Sequence, residues 1–103
     1  MALFGQHTRL RAVPGKADAL VTKFLEAAKL QHENRACQLM VAGRSTTEEH
    51  TVHLVEIWSS EEDWERARNS DEIKAWAADM PGLVDAQPES VTFDLAGGKG
   101  LAI

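Results

Sequence analysis

Thr51-Val52-His53-Leu54-Val55-Glu56-Ile57-Trp58, running on into Ser59-Ser60-Glu61-Glu62-Asp63-Trp64 and then Asn69-Ser70-Asp71-Glu72-Ile73-Lys74-Ala75-Trp76, is the stretch that decides the fold. Its first eight residues are rich in β-branched and apolar side chains, carry no glycine or proline, and read as a strand. Ser59 or Ser60 before three acidic residues is a helix start, because a hydroxyl can accept from a free backbone N–H and carboxylates favour the first turn. Asn69-Ser70-Asp71-Glu72 repeats that signal, so the segment after the strand is a helix broken in two near Asn69. Side chains alternate along a strand, which puts Glu56 and Trp58 on one face. An indole offers a broad apolar surface and one N–H, whereas a buried carboxylate needs a donor or a proton. The pair points to a small site for a planar organic molecule, unless Glu56 lies at the solvated rim of the strand.

Working outward, Leu3 to Ala12 alternates loosely and ends at Val13-Pro14-Gly15, a turn. Ala17, Leu20, Val21, Phe24, Leu25, Ala28 and Leu30 then recur at helical spacing, with Lys23, Glu26 and Lys29 outside the stripe. This predicts a helix of about five turns ending near Asn34. Ala36 to Ala42 is a short apolar run, Gly43 to His50 is rich in turn formers, and the two form a hairpin with the strand at 51–58. On the C-terminal side Ile73, Trp76, Ala77 and Met80 make the stripe of the next helix, which Pro81-Gly82 ends. Val91 to Leu95 alternates as a last strand, and Ala96-Gly97-Gly98-Lys99-Gly100 reads as a flexible tail carrying Leu101 and Ile103. The order β-α-β-β-α-β is the α+β, ferredoxin-like split βαβ plan: a four-stranded antiparallel sheet with helices over one face. Residues 1–96 are expected to form one domain and 97–103 its tail. The sheet face without helices is expected to pack on the same face of a second chain, and the tail to reach that partner.

Composition narrows the function. With 103 residues, a net charge of -5 and a pI near 5.3, the chain lacks the basic surface that nucleic acid or an anionic membrane would require. No run approaches the ~20 apolar residues of a membrane span. Met1 to His7 lacks the basic start and apolar run of a signal peptide, so a cytoplasmic location is the expectation. The one cysteine, Cys37, has no intrachain partner and reads as a packed, inert thiol. Tyrosine is absent, so no phenol serves as acid or base.

Four stretches carry a resemblance: Leu10-Arg11-Ala12-Val13-Pro14-Gly15-Lys16, the run from Glu56 to Asp63, the run from Asn69 to Trp76, and the alternating final strand. In their order and spacing the chain resembles the antibiotic biosynthesis monooxygenase superfamily over about residues 3 to 96. The resemblance implies a dimeric α+β barrel, a homodimer with one site per subunit between sheet and helices. It also implies one of several activities, since the family includes cofactor-independent oxygenases of quinols and anthrones, haem-degrading enzymes and isomerase-like relatives.

Site residues carry over unevenly. Trp58 matches the strand tryptophan that lines the site in the haem-degrading and anthrone-oxidising branches, and Glu56 matches the carboxylate of the quinol-oxidising branch. Ala77 stands where the haem-degrading branch has its ligand histidine, and Thr8 stands near that branch's first-strand asparagine. Leu54 replaces the asparagine of the anthrone branch; Asp71 and Trp76 replace a histidine and a tyrosine of quinol-type relatives. Haem degradation by the family's route is therefore not expected, no resident cofactor is implied, and flavin stays open.

The resulting expectation is a monooxygenase acting with O₂ on a small aromatic quinol, anthrone or polyketide-like substrate. Glu56 is its catalytic base, and Leu54, Trp58, Trp76, Thr8, Asp71 and Arg9 are its substrate-binding residues. The alternatives are a non-catalytic dimeric ligand-binding or stress-associated protein, or an isomerase-like relative. In the blander reading Trp58 and Trp76 fill the core, Trp64 packs, and Glu56 pairs with a first-strand arginine. Arg9 and Arg11 are the cations expected to meet an anionic substrate or Glu56. By parity His7 and His53 point away from the helix face and can meet there, with Arg9, as a polar cluster. No metal site is expected, since two imidazoles without a carboxylate make a poor one.

Overall fold

The computed structural model describes residues 2–101, so Ile103 of the expected tail lies outside the described residues. The chain runs β1 (Leu3–Arg11), α1 (Ala17–Leu30), β2 (Cys37–Arg44), β3 (Thr51–Trp58), α2 (Glu61–Arg68), α3 (Asp71–Ala77) and β4 (Glu89–Leu95), with a 3-10 turn at Met80–Gly82. The four strands form one antiparallel sheet in the order β2-β3-β1-β4. This is the ferredoxin-like βαββαβ plan, its second helical segment split into α2 and α3.

Register fixes what each face carries. Phe4, Gln6, Thr8 and Leu10 of β1 stand opposite Trp58, Glu56, Leu54 and Val52 of β3, so the even-numbered residues of both central strands share the helix side. There Leu10, Ala12, Val52 and Leu54 pack against Ala17, Leu20 and Phe24 of α1 as the core. Complete burial of a Leu or Val side chain contributes about 1.5–3 kcal/mol, and this cluster is what seats α1 on the sheet. The odd-numbered residues of β1, among them Gly5, His7 and Arg9, face the other way with Val55 of β3 and Val91 and Phe93 of β4.

Helix boundaries follow local chemistry. Ser60 caps α2 by accepting from the Asp63 N–H at 3.1 Å, while the Ser59 hydroxyl donates to the Asp63 carboxylate at 2.5 Å. Ser70 caps α3 by accepting from the Ile73 N–H at 3.2 Å. α1 stops at Leu30, short of the expected Asn34, because the backbone turns there and the Gln31 side-chain oxygen accepts from the Asn34 amide at 2.9 Å. Leu25 and Leu30 are exposed rather than part of the buried stripe. Met80 does not extend the α3 stripe as expected. α3 ends at Ala77, and Met80 opens the 3-10 turn with Pro81, still packed against the core.

Among the described residues no helix lies over the second sheet face. Val41, Val91 and Phe93 are 47%, 62% and 40% exposed on it. Phe93 folds over β1 so closely that a Cβ on Gly5 would run into its ring. Residues 96–101 form no helix or strand, and no helix among the described residues is long and apolar enough to cross a membrane.

Candidate functional site

Between the sheet and its three helices lies a cavity of about 180 Å³. β3 contributes Leu54, Glu56 and Trp58 to its wall, α2 contributes Trp64 and Arg68, and α3 contributes Trp76. The chain has three tryptophans and all of them line this one space. Trp58 is buried by its position opposite Phe4 on the central strand pair. Trp64 sits a helical turn after the Ser60 cap and packs on Phe4, ring centroids 5.4 Å apart. Trp76 donates its indole N–H to the Lys23 carbonyl at 2.8 Å and leans on Phe24, which fixes its ring between α1 and α3.

Glu56 is 7% exposed. Its Oε1 accepts from the Trp58 indole N–H at 3.2 Å, a bond the i,i+2 spacing on one strand face makes possible. Burial holds its pKa above the ordinary carboxylate range, outweighing the indole bond and the more distant Arg68 charge, both of which pull it down. Burial accordingly favours the neutral acid, and ionisation nearer neutral pH makes Glu56 a stronger base than a surface glutamate. Across the strand pair stands Gln6, also buried, whose side-chain oxygen has no hydrogen-bond partner. Cys37, opposite Trp58 at the start of β2, has its thiol pushed up to about 11 by burial and then by the Glu56 charge, with a bond to the Leu39 carbonyl opposing. An un-ionised thiol at neutral pH is a poor nucleophile and a poor metal ligand.

Of the residues expected in the site, Glu56, Leu54, Trp58 and Trp76 are brought together on the cavity wall. Three are placed elsewhere. Thr8 shares the helix side of the sheet but spends its hydroxyl on Ser90 of β4 at 3.0 Å, away from the cavity. Asp71 sits exposed in the first turn of α3. Arg9 lies on the opposite sheet face, paired with Glu89 at 2.6 Å, and Arg11 pairs with Asp85 at 3.6 Å. The expectation that a first-strand arginine meets Glu56 is therefore overturned: odd-numbered β1 residues and Glu56 point to opposite sides of the sheet.

Two further residues belong to the wall that sequence patterning alone does not assign to it. Trp64, expected only to pack, lines the cavity as well. Arg68 lines it too, with its guanidinium carbon 4.8 Å from the centre of the Trp64 ring. Their i,i+4 spacing on α2 was the available signal, since such pairs share a helix face. Phe24, Ala27, Gln31, Met40, Ala67 and Ile73 complete the wall.

His7 and His53 meet on the open face as their parity requires, Nε2 to Nδ1 at 2.9 Å with rings nearly parallel. One ring must donate and the other accept. Arg9 does not join them, being engaged by Glu89. No group of three or more His, Cys, Asp and Glu gathers among the described residues in a way that would hold a metal. The cavity wall contains no histidine.

The sequence profile of antibiotic biosynthesis monooxygenases matches residues 3–79. Among curated proteins none is significantly similar to the chain. Several solved structures are close in fold. A candidate antibiotic biosynthesis monooxygenase from Chloroflexus aurantiacus superposes with a TM-score of 0.87 at 23% identity, covering 98% of this chain and 100% of its own. Another from Caulobacter crescentus gives 0.84 at 26% identity, covering 93% and 92%. A protein of unknown function from Nitrosomonas europaea gives 0.79 at 20% identity, covering 96% and 94%. The matches span nearly whole chains, so the sheet and its helices form a shared scaffold.

Proposed function

The chain belongs to the antibiotic biosynthesis monooxygenase family, and from that premise we propose that it is a cofactor-independent monooxygenase that oxidises a small aromatic quinol or anthrone with O₂. The observation that carries the reading is Glu56, a buried carboxyl with a raised pKa inside a cavity walled by every tryptophan of the chain. The substrate is a reduced, electron-rich ring. Leu54, Trp58 and Trp76 hold its faces, and Glu56 removes an acidic proton from a ring hydroxyl or activated methylene. The resulting anion is the reductant. It gives up four electrons in all: one oxygen atom enters the carbon skeleton, and the other leaves as water with two hydrogens of the substrate. The protein's part is orientation, proton removal and exclusion of water. An apolar cavity on the order of 150 Å³ accepts a benzene ring, so about 180 Å³ favours the smaller members of this class.

The same reading makes the active species a homodimer joined through the open sheet faces. Val41, Val91 and Phe93 are the support, because apolar side chains at that exposure on one continuous face favour a partner.

Oxygen uptake with reduced naphthoquinols and anthrones tests the reaction, using wild type, Glu56→Gln and Trp58→Phe. Wild type is expected to exceed buffer with at least one substrate, and loss of the base to slow it about 10²–10⁴-fold. Uptake no greater than buffer across the panel rejects the oxygenase reading. Equal rates in all three proteins reject the site.

A further inference from the structure

Arg68 at the cavity wall has no role in the proton removal just described. It occupies the last turn of α2, where a basic residue is ordinarily explained by the helix dipole. Its neighbour Arg66 fits that explanation, exposed and paired with Asp63 at 2.6 Å. Arg68 is exposed as well but differs in its contacts. It makes no ion pair with a carboxylate among the described residues, and its guanidinium lies over the Trp64 ring on the wall of the cavity. The only other ionisable side chain of the wall is Glu56, whose burial favours the neutral acid. A guanidinium laid over an indole is held in place, and a planar fork of N–H donors matches a carboxylate with two parallel hydrogen bonds. The cavity therefore presents an apolar slot with a buried carboxyl in its wall and, on α2, a planar cation without a carboxylate partner among the described residues.

We propose that Arg68 selects an anionic substituent on the ligand, so that among aromatic hydroxyl compounds this site favours those that carry a carboxylate over their neutral counterparts. The inference rests on the cavity being the ligand site and does not depend on reaction with oxygen. In the bound state the ring lies against Trp58 and Trp76, its hydroxyl faces Glu56, and a ring carboxylate meets Arg68 at the α2 side. Carboxylate and guanidinium neutralise one another there, which leaves the ionised form of Glu56 free to accept the hydroxyl proton.

Calorimetric titration with 1-hydroxy-2-naphthoate and with 1-naphthol separates the anion from the ring. Wild type should bind the naphthoate at least about ten-fold more tightly. Arg68→Gln should reduce naphthoate to the naphthol level and leave naphthol within about two-fold, while Arg68→Lys, which keeps the charge but loses the fork, should fall between. Equal affinities in wild type, no binding of either compound, a preference that survives in Arg68→Gln, or loss of both ligands in that variant would each overturn the proposal. The last outcome would make Arg68 a packing residue. Selective binding of the naphthoate without oxygen uptake would sink the oxygenase reading and leave this one standing. Oxygen uptake with neutral quinols alongside equal affinities would do the reverse.

Discussion

The two faces of the sheet carry side chains in an unexpected distribution. Under the helices, where an apolar layer would be simplest, β1 and β3 place Gln6, Thr8 and Glu56 among the buried residues. On the bare side, where polar groups would be simplest, Val41, Val91 and Phe93 stand exposed. Buried polar groups cost stability unless satisfied, and exposed apolar groups invite association. Each face thus departs from the best arrangement for an isolated domain, the covered one in the direction of chemistry and the bare one in the direction of a partner.

The sharpest way to break the contrast is to damage the covered face where it is purely structural. Leu20→Ala removes a fully buried side chain that packs α1 on Leu10, Val52 and Leu54, and should lower unfolding free energy by about 2–5 kcal/mol in urea denaturation. A loss under about 1 kcal/mol would mean that α1 is not what closes this side. Next comes the bare face: Val91→Asp with Phe93→Asp should convert a species of twice 11.3 kDa to one of 11.3 kDa in light scattering, with the helical circular dichroism retained. A wild-type protein that is monomeric at micromolar concentration removes the partner reading of that face altogether.

A smaller effect distinguishes the polar groups of the covered face from mere defects. Glu56 has a folded-state pKa above its unfolded value, so its contribution is fully present below the ordinary carboxylate range and is lost as pH rises through the raised value. Stability of wild type relative to Glu56→Gln should therefore decline from about pH 4.5 upward, at no more than about 1.4 kcal/mol per pH unit. Asp63 and Asp79 are shifted the other way, by hydrogen bonds from Ser59 and from Lys23 respectively, and act only at lower pH. Parallel curves for the two proteins would show that burial does not raise Glu56. The smallest expected change is Arg9→Ala on the bare face. Its pair with Glu89 is solvent-exposed, so the melting temperature should stay within experimental scatter and naphthoate affinity should not change. A ten-fold loss of affinity there would mean that the bare face contributes to the ligand site.

Much of this was legible from residue parity. Glu56 and Trp58 sharing a face, His7 and His53 meeting opposite them, and the serines that start α2 and α3 all follow from local rules that tertiary packing did not override. Parity also contained the answer for Arg9, but only with the β1–β3 register, which pairs Gln6 rather than an arginine with Glu56. Arg68 was harder, because a cation late in a helix has a sufficient local explanation, and its position over the Trp64 ring is a tertiary fact. Thr8 and Asp71, expected in the site by resemblance, stay outside its wall because Thr8 bonds Ser90 and Asp71 is exposed in the first turn of α3, whose Ile73 and Trp76 face the cavity instead.

The strand order β2-β3-β1-β4 also governs when the molecule can assemble. β1 pairs with β3 and β4 and never with β2, so a chain emerging from the ribosome holds its first strand without a neighbour until residues near Thr51 have been made. The β2–β3 hairpin is the earliest local pairing available. The last ladder joins Leu3 to Leu95, almost the whole length of the chain, and carries the loop-closure cost of that separation. The strand that brings Val91 and Phe93 to the bare face is therefore the last of the four to emerge, and the surface suited to a partner is completed only once β4 has been made.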